Sequence, residues 1–124
     1  MKLKEIEPLI NLFNILKDKE LPFRLAYKIT KFSTFISSDY DFYLEEAKKL
    51  ISTYGVEKEG GGYEIDANNN FIYKEELKEE AMKKTQELKD MEIKDPDITF
   101  TPEELDLITL TPSQLQPLLP FIKD

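Results

Sequence analysis

The 124-residue sequence contains no cysteine, no histidine and no tryptophan. Without histidine and cysteine there is no Ser-His-Asp or Cys-His nucleophile system. A zinc finger, a thiol redox centre and an ordinary transition-metal site are excluded on the same ground. Glycine is scarce, and three of the four glycines are consecutive, at Gly60-Gly61-Gly62. No run approaches the roughly 18 apolar residues that a membrane-spanning helix needs. The start, Met1-Lys2-Leu3-Lys4-Glu5, lacks the apolar core of a signal peptide.

What is present is charge and aromatic surface. The chain carries 25 acidic and 17 basic side chains, with eight Phe and six Tyr. That much aromatic content argues for an ordered protein, and this length for a single domain, 1–124. The charge is uneven. Residues 1–55 hold nine basic and eight acidic side chains, whereas 56–124 hold eight and seventeen. Direct nucleic-acid binding needs a net basic footprint and is not expected. The acidic second half serves solubility or meets a basic partner.

Ile6, Leu9, Ile10, Phe13 and Leu16 recur at helical spacing, with Pro8 in the first turn. Leu21-Pro22 breaks that helix and starts the next. Leu25, Ile29, Phe32, Ile36, Tyr40, Tyr43, Ala47, Leu50 and Tyr54 then step by three or four through residues 22–54. Gly55 stops the run. At 1.5 Å per residue such a helix is roughly 45–50 Å long. Its stripe calls for a second long helix or another copy of the chain, as in a coiled coil.

Residues 55–62 read as a flexible turn and 63–73 as a hairpin turning at Asp66-Ala67-Asn68-Asn69-Asn70. Residues 74–90 read as a second helix with a thin stripe through Leu77, Ala81 and Leu88. Ile98-Thr99-Phe100 is strand-like, and Leu107–Leu110 suggests another short strand. Thr101-Pro102 and Thr111-Pro112 are helix starts, the latter opening a short last helix near 112–122. No long internal repeat stands out. The expected fold is α+β and helix-dominated: a long antiparallel helical hairpin with a small β element and a short C-terminal helix. The alternative is an all-α bundle.

No residue pattern demands catalysis, a cofactor or a small-molecule substrate, so an enzyme is not expected. Asp66, Asn68 and Asn70 match the first positions of a calcium loop, but Phe71 replaces its glycine and Leu77 its last glutamate. No metal is therefore expected. Glu45-Glu46, Glu75-Glu76, Glu79-Glu80 and Glu103-Glu104 sit among lysines and read as solvated faces. Arg24, Lys28 and Lys31 form one basic stripe, available to an acidic partner or to this chain's own acidic half. Phe35 and Phe42 lie off the main stripe. They mean a helix buried on two sides or an exposed interaction stripe. These five residues are the candidate partner-binding set, the partner being another protein or a second copy in a homo-oligomer.

The order of segments resembles a known family. A helix ends in Glu20-Leu21-Pro22, and Ala26-Tyr27-Lys28-Ile29-Thr30-Lys31 opens a long helix. Leu44-Glu45-Glu46-Ala47-Lys48-Lys49-Leu50-Ile51 runs into Tyr54-Gly55 and a Gly/Asn-bearing hairpin. Leu110-Thr111-Pro112-Ser113-Gln114-Leu115 leads to a short terminal helix. This is similar to a family of small bacteriophage proteins of unknown function, whose members often lie near tail and lysis genes. The resemblance implies a phage origin and a location in the host cytoplasm or on the virion. In that setting, the long helix and its two apolar faces suggest a non-enzymatic interaction protein of tail or virion assembly, or an accessory factor. An acidic inhibitor of a host protein, mimicking nucleic acid or blocking a defence system, is the alternative. The family supplies no activity and no site residues.

Overall fold

The computed structural model describes residues 1–124. Five α-helices appear: α1 (Ile6–Leu16), α2 (Phe23–Tyr54), α3 (Lys78–Lys89), α4 (Pro102–Leu105) and α5 (Pro112–Leu115). Short 3-10 turns precede α1 and α3, and Gln116–Phe121 is a 3-10 helix following α5. The proline pair Pro117 and Pro120 explains the tighter winding, since each lacks the N–H that an α-helix would use.

The α+β expectation is corrected. About 60% of the chain is helical, and there is no sheet. The β content consists of five isolated bridges. The second arm of the expected hairpin is also short, because α3 has 12 residues against 32 in α2. Leu107–Leu110 forms no strand. Ile98–Phe100 contributes a single bridge, Phe100 to Ile122, made by Phe100 N donating to Phe121 O and Lys123 N donating to Phe100 O, both at 2.8 Å.

Two compact units divide the chain: Met1–Tyr40 with Glu92–Asp124, and Asp41–Met91. In the first, α1 buries Ile6, Leu9, Leu12, Phe13 and Leu16, and the start of α2 buries Leu25, Ile29, Phe32 and Ile36. Phe32 is the hub. Its ring lies 5.1 Å from Phe13, 4.9 Å from Phe121 and 6.2 Å from Phe100, centroid to centroid. Two of these contacts are edge-to-face, the arrangement that suits the quadrupoles of aromatic rings.

In the second unit the same stripe continues through Tyr43, Ala47 and Leu50, half-buried, to Tyr54, buried. The segment after Tyr54 explains why no sheet forms. Three short runs, 55–57, 63–65 and 71–73, each bridge the other two: Gly55 to Tyr73, Glu57 to Tyr63, and Ile65 to Phe71. Their middle residues close a ring of hydrogen bonds. Val56 N donates to Ile72 O at 3.0 Å, Ile72 N to Glu64 O at 3.0 Å, and Glu64 N to Val56 O at 2.8 Å. The period is eight residues, and the turns repeat it. Lys58 N donates to Gly62 O, Asp66 N to Asn70 O, and Lys74 N to Tyr54 O. Gly61 N, Asn69 N and Leu77 N donate to Lys58 O, Asp66 O and Lys74 O.

The result is a three-fold backbone repeat with almost no side-chain repeat. Gly61 and Asn69 hold the same left-handed position, at φ of 105° and 64°. Leu77 has φ of −115° there, because the chain is entering α3. The Asp66 carboxylate stabilises the second turn by accepting from Asn68 N at 2.8 Å and Asn70 N at 3.0 Å.

Candidate interaction surface

The basic stripe of α2 lines one cleft of the first unit. Arg24, Tyr27, Lys28 and Lys31 form one wall, and Asp97–Thr99, Thr101 and Glu104 the other, around about 680 Å³. A neighbouring hollow of about 600 Å³ shares Tyr27, Lys31, Asp97 and Ile98 and extends to Phe35. The two together make a groove along α2 from Arg24 to Phe35.

Lys28 is committed inside the chain. Its ammonium donates to Glu104 Oε1 at 2.7 Å and to Thr99 O at 2.8 Å. It also lies 5.8 Å from the centre of the Phe100 ring. The same Glu104 oxygen accepts from Thr101 N at 3.0 Å, while Thr101 Oγ1 accepts from Glu104 N at 3.2 Å. This is a capping box on α4. A second capping box, Thr111 with Gln114, starts α5. The internal-partner reading of the stripe therefore holds for Lys28. Arg24 and Lys31 make no ion pair and remain available in the groove.

The Lys28 hydrogen bond, reinforced by the Thr101 contacts, holds the Glu104 carboxyl below its ordinary pKa. A carboxylate with a lowered folded-state pKa adds stability above its unfolded pKa, and loses it as pH falls through the folded value. Thermal melts between about pH 3 and pH 7 should show the wild type losing part of its stability at the acid end. Glu104→Gln should be less stable near neutrality and flatter across the range. Equal pH dependence in the two proteins would contradict this role.

Tyr54 is the other displaced side chain. Burial, with the nearby Glu80 carboxylate, raises its phenol pKa. No group of three Asp or Glu side chains is arranged to hold a metal ion.

Aromatic surface accompanies the free cations. Phe23 is 87% exposed, Tyr27 58%, Phe35 37% and Phe42 41%. Burial of α2 on both sides, one of the two readings of Phe35 and Phe42, is thus not what the structure shows. Phe35 lies in the groove with Tyr27 and Lys31. Phe42 lies in the second unit, lining a different hollow of about 450 Å³ with Leu50, Tyr54, Lys84, Leu88 and Met91. Sequence reasoning missed Tyr27, Ile98 and Glu104 as groove residues. The Thr101-x-x-Glu104 spacing signals the capping box, but nothing local shows that Lys28, 76 positions earlier, completes it.

No protein-family model matches this chain, and comparison with curated proteins and with solved structures finds no match either.

Proposed function

We propose that this chain is a non-enzymatic interaction protein of a bacteriophage, acting in virion or tail assembly or as an accessory factor through the exposed faces of α2. The observation that carries the proposal is the groove along α2. There Tyr27 and Phe35 stand in solvent beside Arg24 and Lys31, two cations that the fold itself does not use. Exposed aromatics beside a free arginine are the composition of interface centres, with the lysine suited to a polar rim. The phage setting rests on the resemblance in segment order. No helix is long and apolar enough to cross a membrane.

A photo-cross-linking residue at position 27, introduced during phage infection, tests this reading. Cross-links to phage structural proteins are expected, and their loss in Arg24→Glu/Lys31→Glu. Absence of any cross-link from position 27 would overturn it.

One observation favours the acidic-inhibitor alternative. Between Glu57 and Glu80 all eight carboxylates are exposed, against three lysines. Capture of a host nucleic-acid enzyme that is lost at high salt would support that alternative over assembly.

A further inference from the structure

We infer that the occupant of the α2 groove is an acidic segment of a partner protein, with two carboxylates roughly 10 Å apart and an apolar side chain between them. The inference rests on the reading that this groove is an interaction surface, and it states the chemistry of what fills it.

The groove lies wholly within the first compact unit. Its charges, paired off, leave a definite remainder. Lys28 and Glu104 neutralise each other at 2.7 Å, so neither is open to a partner. Arg24 and Lys31 on α2, and Asp97 on the facing wall, are exposed and make no ion pair within the chain. The free charge is therefore two cations on one wall and one carboxylate on the other.

Spacing along α2 gives the pattern of the occupant. Arg24 and Lys31 are seven residues apart, close to two turns, so they share a face at a separation of roughly 10 Å. Tyr27, 58% exposed, stands between them, three residues from Arg24 and four from Lys31. Ile98 on the facing wall and Phe35, four residues beyond Lys31, extend the apolar lining. A segment reading carboxylate, apolar, carboxylate is the complement. Each carboxylate meets one cation, and the apolar side chain covers the Tyr27 ring. The guanidinium of Arg24 can hold its carboxylate through two parallel hydrogen bonds. Asp97 repels carboxylates from the far wall and so keeps them on the α2 side. A nucleic acid fits less well, because its phosphates call for a net basic footprint. Here two free cations stand beside a free carboxylate on a chain of net charge −8.

Selection of a yeast-displayed library of random peptides on the purified full chain tests the inference, with circular dichroism to confirm that each variant is folded. The recovered peptides are expected to be rich in Asp and Glu flanking apolar residues. Their affinity should fall about tenfold in Arg24→Ala/Lys31→Ala, which removes two exposed ion pairs, and rise about twofold in Asp97→Asn. Recovery of no peptides, or of peptides without acidic enrichment, would overturn the inference. So would equal binding to Arg24→Glu/Lys31→Glu, failure of Asp97→Asn to tighten binding, or single-stranded DNA that binds the groove more tightly than the peptides do. A cross-link from position 27 that maps to a neutral or basic segment of its partner overturns the acidic occupant alone and leaves the interaction reading standing. Absence of any cross-link removes both.

Discussion

Replacing Phe32 with alanine should lower the free energy of unfolding by about 3–5 kcal/mol, the range for emptying a fully buried phenylalanine site. Phe32 is fully buried, and its ring contacts Phe13 from α1, Phe100, and Phe121 from the terminal 3-10 helix. One side chain thus joins four chain segments that are distant in sequence. Removing it leaves a cavity that no single neighbour can fill, and forfeits ring contacts worth about 0.5–1.5 kcal/mol each. Urea denaturation followed by circular dichroism measures the loss. Phe32→Leu, which refills part of the volume, should recover a substantial share. A Phe32→Ala loss below 1 kcal/mol would show that these rings are not the centre of the core.

Gly55→Ala should cost about 1–3 kcal/mol, the range for forcing atoms into a packed site. A Cβ at Gly55 would lie 2.6 Å from Ile51 O and 2.9 Å from the Tyr63 ring. Ile51 O cannot yield easily, because it already accepts from Gly55 N at 2.8 Å. Gly55 also begins the first run of the three-fold element and bridges Tyr73. The strain should therefore appear in that element. Hydrogen exchange at the amides of Val56, Glu64 and Ile72 should quicken, while protection within α1 stays unchanged. Gly60→Ala makes a useful contrast. Nothing lies within 4 Å of a Cβ there, so only its left-handed backbone, at φ of 89°, opposes substitution.

The helices were legible because their signals are local. The three-and-four stepping from Leu25 to Tyr54 names the buried and half-buried face of α2, and Gly55 ends it. The threonine-proline pairs mark the starts of α4 and α5. The β element was not legible, because its order lies in backbone hydrogen bonds. Val56, Glu64 and Ile72 hold equivalent positions, but the charged Glu64 breaks the apolar pattern of the other two, and the Asn-rich turn by itself suggests an ordinary hairpin. A period-two pattern of apolar residues predicts pairing but not whether two runs pair as a ladder or three close a ring. The candidate surface was half legible. The spacing of Arg24, Lys28 and Lys31 places them on one face. Which cation is consumed internally depends on Glu104, brought close only by the fold. The exposure of Phe35 and Phe42 depended on where the remaining chain packs, which periodicity does not fix.

Because the chain has no cysteine, a single introduced thiol reports on its own position without background. Phe35→Cys sits in the groove of α2 that the proposed partner covers. Leu44→Cys, also exposed, lies off that face. In phage-infected cells, a thiol-reactive label is predicted to reach Phe35→Cys more slowly than in the purified protein, while Leu44→Cys reacts alike in both. Equal protection at the two positions, or none at position 35, would contradict the account.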